Sequence, residues 1–435
     1  MQDGGLRFGR WLLAATGLGA VIRVAWLADR WNDPIGFEDA FFYHHQANLL
    51  ANGKGFISPF PFLSAGLHLP AAEHPPLYSL YLAIWSAAGA TSVGWHQLAT
   101  TLIGIATVAL IGLAGREAAG PRLGVVAAFV AAVYPHLWYQ DGIVWAEAIA
   151  QACVALFVLV AFRYVNRPSA RNLATVGLAA ALASMARTEL IVLLPLGVVG
   201  LALLTAGIDA RRRLGWVAAA GAIGIVAIAP WIALNLGRFD RTTTLSSNVG
   251  LTLASANCDS TWYGSRLGYW SFWCAQAAGT AETLGGGDPS DVDALARRQA
   301  LDYVDAHRGR LPAVVAARLG RAAGLWRPWQ QVAFDGIEGR PHWIAAAGLG
   351  TWWAAMVLAA GGVVTLRRHR VPTFPLLATI AAAAFGILTA FATTRYRATA
   401  EPAMALLAAA GALGALERLP IPWPGRRRQA GAARP

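Results

Sequence analysis

An acidic pair, Glu38 and Asp39, stands in the run Gly36-Phe37-Glu38-Asp39-Ala40-Phe41-Phe42-Tyr43-His44-His45, and a histidine follows at His74 in Glu73-His74-Pro75-Pro76-Leu77-Tyr78. Beside apolar surface a carboxylate's pKa rises toward neutrality, and such a group can take the proton of a hydroxyl. The same pair could instead cap the helix that follows, through Asn48 and Leu50. A His-Pro-Pro turn can aim an imidazole at a phosphate or a metal, and prolines there equally suit the first turn of a helix. Further on come His136, Tyr139, Asp141 and Glu147, then Arg187-Thr188-Glu189, then Arg395-Tyr396-Arg397. Arginines bind phosphate through forked hydrogen bonds or lie along lipid headgroups. Proton abstraction beside a bound phosphate is the chemistry these types could do together.

The elements that must position them are membrane helices. Of the 435 residues, 56% are hydrophobic and 13% charged, against about 25% charged in soluble domains. Mean hydropathy is +0.47. Apolar stretches recur at 11–28, 97–115, 123–139, 143–163, 172–187, 190–206, 214–235, 343–366, 373–392 and 399–417, each near the length that crosses a hydrocarbon core of about 30 Å. The expected fold class is an all-α polytopic membrane protein of about ten transmembrane helices. The net charge of +12 is almost entirely arginine, with Lys54 the only lysine. Much of it sits in short loops, so topology explains it and nucleic acid is not expected as a partner. Arg7 and Arg10 before the apolar run from Trp11 read as a retained signal anchor.

A further apolar segment, 76–90, decides the topology. If it does not cross and the N-terminus is inside, the cytoplasmic loops hold Arg116 and Arg122; Arg163, Arg167 and Arg171; Arg211, Arg212 and Arg213; and Arg367, Arg368 and Arg370. If it crosses, every later basic loop moves outside, against the positive-inside rule. The segment is therefore read as a helix along or dipping into the outer face. Two long outer segments result, 29–96 and 237–341, and long structured loops are usually functional. Within the second, Asp291–His307 has amphipathic spacing through Val292, Leu295, Leu301 and Val304; it would lie at the membrane surface or pack on the loop itself. The chain divides into a module 1–236 that carries the first outer loop, the segment 237–341, helices over 342–419 and a basic, disordered cytoplasmic tail at 420–435. No internal repeat is present.

Cys153 lies in an apolar span and reads as a small core residue. Cys258 and Cys274 share the second outer segment, where a disulfide can persist; two buried free thiols are the alternative. No metal spacing is present and no cofactor is expected, although Glu38, Asp39 and His74 could assemble a divalent-cation site. In the first span Arg23 is deep enough to need an acidic partner, and Glu147 falls about one turn inside the fourth. The informative signal is joint: acids, histidines and arginines fall on one face under a topology chosen from loop charges alone. A cavity of carboxylates and phosphate-binding cations suits transfer from a lipid-phosphate donor.

Glu38-Asp39-Ala40 with Tyr43-His44, followed by Ala47-Asn48-Leu49-Leu50-Ala51 and by Gly53, Gly55 and Phe56, resembles the first outer loop of GT-C-fold glycosyltransferases. The resemblance is closest to the bacterial members of the protein O-mannosyltransferase and aminoarabinose transferase superfamily. His74-Pro75-Pro76-Leu77-Tyr78 is similar to their next motif, and Arg395-Tyr396-Arg397 with Pro402 to a late arginine–proline motif. Asn257-Cys258-Asp259 through Gly268-Tyr269-Trp270 and Cys274 looks like a version found in actinobacterial members. The resemblance implies a polyprenyl-phosphate sugar donor, a glycan, lipid or protein acceptor, and inverting transfer on the outer face of the plasma membrane, with both termini cytoplasmic. It maps the base onto Asp39, although many relatives have the order Asp-Glu rather than Glu38-Asp39. Many relatives also continue into a soluble domain, so acceptor recognition is expected from 237–341.

In this reading Asp39, with Glu38 beside it, deprotonates an acceptor hydroxyl. His74, Arg187 and Arg395 or Arg397 hold the donor phosphate. Tyr43, His44, Tyr78, His136, Asp141 and Glu147 shape the sugar or acceptor site. A transporter or flippase of a lipid-linked saccharide would show repeats and helices broken near the midplane. A non-catalytic envelope-lipid scaffold would tolerate loss of Asp39. A lipid-linked polymer ligase would keep its decisive residues in a late outer loop.

Overall fold

The computed structural model describes residues 2–36, 39–277 and 287–416. Glu38 and the expected tail at 420–435 lie outside the described residues. Each apolar segment named above is helical. The long helices are α1 (Gln2–Asp29), α5 (Val93–Ala119), α6 (Pro121–Val133), α8 (Glu147–Asn166), α9 (Ala170–Ala186), α10 (Ala210–Leu236), α15 (His342–Arg368), α16 (Phe374–Thr389) and α17 (Glu401–Ala415). Between α1 and α5 lie α2 (Asp39–Ala51), α3 (Pro59–Ala65) and α4 (Leu77–Ala87), and the short helix α7 (Pro135–Trp138) follows α6. The second long connection holds α11 (Val249–Ala256), α12 (Pro289–Ala306), α13 (Leu311–Ala322) and α14 (Pro328–Ile337). Capping side chains start several of these helices: Ser92, Ser169 and Asp209 accept from the first turns of α5, α9 and α10.

Among the described residues six helices are long and apolar enough to cross a membrane, or seven if the bent pair Pro121–Val133 and Pro135–Gly142 forms one span. The chain is a multi-pass membrane protein. The sequence leads to an expectation of about ten membrane helices; beside the six or seven, α9, Thr188–Leu204 and α16 are shorter helical segments of at most 17 residues, reaching about 25 Å at 1.5 Å per residue. The stretch Thr188–Leu204 is also irregular, passing from 3₁₀ through a π turn at Leu196–Gly200 just after Pro195, which lacks a backbone donor. The doubtful segment 76–90 becomes α4, 11 residues long, about 16 Å and too short to span.

One apolar core runs through α1, α5, α6, α8, α9, α15 and α17. At Gly411 the packing of α17 on α15 is so close that an added Cβ would strike the Leu358 carbonyl. Since successive membrane helices run from one end of the bundle to the other, connections alternate between two ends. The turns near residues 120, 168, 207 and 371 share one end. The connections 30–92, 139–146, 237–341 and 390–400 share the other, where they bond to one another. Arg238 donates to the carbonyls of Phe56 at 2.8 Å and Ala71 at 2.5 Å. Ser246 donates to the Glu73 carbonyl at 2.7 Å, and Arg318 to that of Leu388 at 2.7 Å. Thr394 donates to Asp335 at 3.1 Å.

The amphipathic stretch Asp291–His307 is α12. Val292, Ala296 and Ala300 are buried, and the two alanines pack on Ala254 of α11 while Leu301 stays exposed. Of the two expectations, packing on the loop itself is the one realised. Cys258 and Cys274 are joined by a disulfide with Cα atoms 6.3 Å apart, and Cys153 is a buried free thiol in α8.

Candidate active site

Asp39 is the first residue of α2, so its carboxylate projects from a helix start, where the dipole favours a negative charge. Three residues before α4, the Pro75-Pro76 turn delivers His74, whose Nε2 lies 3.5 Å from Asp39 Oδ1. The His74 ring is held between Phe42 and Tyr43, at centroid distances of 5.0 and 4.9 Å. Tyr43 in turn packs edge-on against Tyr78 at 4.9 Å, and the Tyr78 hydroxyl bonds Thr100 at 2.5 Å. The connection 30–92 therefore presents its carboxylate and imidazole on an aromatic support.

The opposing side comes from the turn before α17. Arg395 NH2 donates to Asp39 Oδ2 at 2.5 Å and its Nε donates to Glu147 Oε1 at 2.9 Å. The guanidinium lies 3.9 Å from the Trp145 ring centroid, a cation–π contact that fixes its plane. Glu147 also accepts from Arg187 NH1 at 2.6 Å, while Arg187 Nε donates to Glu189 at 2.6 Å and the guanidinium covers Tyr396 at 4.9 Å. Asp39, Arg395, Glu147, Arg187 and Glu189 thus form a chain of alternating charge contributed by four separate segments. Glu147 is fully buried and its second oxygen has no partner among the described residues. Burial pushes the Asp39 carboxyl up, but the charges of Arg395 and His74 outweigh it and hold the group well below the ordinary carboxylate range.

Glu147 differs from its sequence placement. It opens α8 instead of lying a turn inside a span, and both its cations come from other turns at the same end of the bundle. Neighbouring Glu73 is held apart from Asp39: Ser58 donates to it at 2.6 Å, and burial raises its pKa.

Four expected site residues go elsewhere. Asp141 is the partner that Arg23 needs, with Arg23 Nε 2.6 Å from its Oδ2 and both side chains buried. The pair fits only because residue 104 is glycine, since an added Cβ there would fall on the Asp141 carboxylate. Arg397, read as a phosphate ligand, is instead locked in a second network. It donates to Glu401 at 2.8 Å and the Ala322 carbonyl at 3.1 Å, lies 3.7 Å over Trp352, and meets His136 Nε2 at 2.9 Å. His136 Nε2 is also 2.9 Å from the Gly348 carbonyl, so this imidazole joins helices instead of facing Asp39. Residues two apart on a helix of 3.6 residues per turn point to opposite sides, which is why Arg395 and Arg397 separate. His44 turns away from Asp39 toward His96, their Nδ1 atoms 3.1 Å apart; burial, with His96 and His45 nearby, pushes it down to about 3.

Among the described residues no three His, Cys, Asp or Glu are grouped as metal ligands. Glu38 lies outside the described residues. Sequence reading missed Glu338 and Trp145. Glu338 follows α14, and burial pushes its carboxyl up to about 8, with Arg395 opposing the shift. Its one sequence signal is an acid standing four residues before a span. Trp145 had none beyond its place beside Glu147.

The sequence matches no protein-family model and, at a significant level, no curated protein. Solved structures do match. The oligosaccharyltransferase of Archaeoglobus fulgidus in complex with Zn and sulfate aligns with TM-score 0.52 and 15% identity, covering 93% of this chain and 49% of that one. Its AglB structure in complex with an inhibitory peptide and a dolichol-phosphate aligns with TM-score 0.50 and 14% identity, covering 93% and 50%. ArnT from Cupriavidus metallidurans bound to undecaprenyl phosphate aligns over 93% and 78% at 13% identity, with TM-score 0.45, a likeness too slight to build on. The chain spans about half the length of the oligosaccharyltransferases it matches. At these identities the likeness is one of fold, and that fold is GT-C.

Proposed function

We propose that this chain is a glycosyltransferase that takes a sugar from a polyprenyl-phosphate donor and passes it, with inversion, to a hydroxyl acceptor. The observation that carries the reading is the Asp39–Arg395 pair, a base and a phosphate-binding cation held together at one end of a GT-C bundle. A lipid phosphate is a further part of the reading, since the AglB structure of the same fold holds a dolichol-phosphate.

The step uses these groups as follows. The donor phosphate draws Arg395, with His74 beside it, away from Asp39. Free of its cation, Asp39 regains basicity and takes the acceptor hydroxyl's proton. The acceptor oxygen bonds the anomeric carbon as the carbon–oxygen bond to phosphate breaks, and the electron pair leaves on the polyprenyl phosphate, which Arg395 and His74 neutralise. Glu147 and Arg187 position Arg395 and need not touch the donor. Tyr43 and Tyr78 support His74.

The arginines of the opposite end support a cytoplasmic placement for that end and both termini, and hence an extracytoplasmic site. Within this scheme the segment 29–96 is catalytic, 237–341 faces the acceptor, and the C-terminal helices contribute Arg395. The test is transfer from radiolabelled polyprenyl-phosphate sugars by purified protein in lipid nanodiscs. Asp39→Asn should lose about 10²–10⁴-fold in rate while keeping the wild-type melting behaviour. A well-folded Asp39→Asn protein at the wild-type rate would sink the assignment.

A further inference from the structure

Beside the Asp39 cluster lies a cavity of about 160 Å³, bounded by the end of α1, the 34–36 turn, Ala40, Gln97, residues 142–145 and residues 337–339. Three buried polar atoms on its lining residues lack a partner among the described residues: Arg30 Nε, Trp145 Nε1 and Glu338 Oε2. The rest of the Arg30 and Trp145 side chains is anchored. Arg30 NH2 donates to the Gly339 carbonyl at 2.9 Å and its guanidinium stacks 4.4 Å over Trp26. Trp145 lies against Arg395. Gln97, also on the wall, uses its oxygen to accept from Asn32 N at 3.0 Å.

Each unpartnered buried polar atom costs about 1–3 kcal/mol, so two donors and one acceptor on one cavity call for an occupant that both accepts and donates. A hydroxyl does both, and a ring carrying several hydroxyls can reach several such atoms at once. The wall residue Ala40 is the chain neighbour of Asp39, and Trp145 carries Arg395 on its face, so an occupant of this cavity sits beside both reacting groups. We infer that the cavity is the sugar subsite, in which Arg30 and Trp145 donate to ring hydroxyls of the lipid-linked donor and Glu338 accepts from one; this rests on the glycosyltransferase reading. Because burial pushes the Glu338 carboxyl up to about 8, it holds its proton near neutrality and bonds a neutral sugar without bringing a second negative charge near the donor phosphate.

Binding separates this subsite from the transfer step. Full-length protein in nanodiscs is titrated with undecaprenyl phosphate alone and with undecaprenyl-phosphate glucose, mannose and arabinose. Glu338→Ala should weaken the best sugar-bearing lipid about tenfold, the worth of one good hydrogen bond, and leave the bare lipid phosphate unchanged. Trp145→Phe, which keeps an aromatic face under Arg395, should do the same. Glu338→Gln should restore most of the affinity, since an amide also bonds a hydroxyl. If both losing variants bind every sugar lipid as wild type does, the cavity holds only water and the subsite is wrong. It is equally wrong if they weaken bare and sugar-bearing lipid alike. Either result leaves the transferase reading standing, because wild type still binds lipid phosphate. Wild type that binds neither lipid class removes the transferase reading and the subsite with it.

Discussion

Arg395 NH2 lies 2.5 Å from Asp39 Oδ2, and the same guanidinium reaches Glu147 through Nε at 2.9 Å. One side chain therefore ties a partly accessible carboxylate of the first outer loop to a fully buried one at the start of α8. In the proposed reaction Arg395 thus occupies the place a donor phosphate takes, and it holds Asp39 ionised until something replaces it.

Arg395→Met should therefore do more than remove a phosphate ligand. It leaves Glu147 with Arg187 alone and Asp39 with His74 alone. The expected loss in transfer is about 10²–10³-fold, the scale of removing one electrostatic contact to the leaving group. Arg395→Lys, which keeps the charge but not the fork that spans two carboxylates, should fall between. Rates from the radiolabelled-donor assay check this, and a wild-type rate for Arg395→Met would contradict it.

The pH dependence follows from the direction of the Asp39 shift. Its folded pKa is depressed below the ordinary 3.8 by Arg395 and His74, which outweigh burial. Its contribution to stability is thus present above that ordinary value and is lost as pH falls through the depressed one. Catalysis by wild type should show no acid limb from Asp39 above about pH 5. In Arg395→Met the opposing cation is gone while burial remains, so the residual rate should fall as pH is lowered through the weakly acidic range. Profiles of kcat/KM for both proteins distinguish the two cases; superimposable profiles would refute the coupling.

How far this site was legible in the sequence depends on the range over which each residue acts. Asp39 and His74 could be read because their settings are local: a helix start and a double-proline turn. That the cluster gathers at one end of the bundle could be read because loop arginines mark the other end. Arg395 and Arg397, two residues apart, could not be told apart by spacing, since only the packing of α17 against α6 and α15 turns Arg397 toward His136 and Glu401. Asp141 looked like a site residue for the same reason that Arg23 looked unpaired: their partnership spans 118 positions. The lengths of the membrane helices were less legible, because hydropathy does not reveal that Thr188–Leu204 is broken or that α16 is short.

Glu338 gives an opposite pH signature to Asp39. Its folded pKa, about 8 from an ordinary 4.5, is raised mainly by burial. Between those values the folded state binds more protons than the unfolded one, so this group makes stability fall as pH rises. Glu338→Gln removes the titration. The melting temperature of the variant should match wild type near pH 5 and exceed it increasingly toward pH 8, as read by thermal unfolding in detergent. A constant offset across that window would show that Glu338 titrates normally.

The Arg23–Asp141 pair should prove structural, and the cost of breaking it should depend on how it is broken. Both side chains are buried between α1 and the turn after α7, and Asp141 Oδ1 has no partner among the described residues. Removing one member of a buried pair leaves the other charge uncompensated and costs about 3–5 kcal/mol. Arg23→Met alone, or Asp141→Leu alone, should therefore lower stability by that much. The double variant should recover most of the loss, because replacing both charges by apolar groups of similar volume is often neutral. Gly104→Ala, which places a methyl on the Asp141 carboxylate, should behave like a single member of the pair. In none of the folded variants should the affinity for lipid-linked sugar change, since neither residue reaches the Asp39 cluster. Thermal unfolding with lipid titration measures both, and a double variant as unstable as the sum of its singles would show that the two charges do not act as a pair.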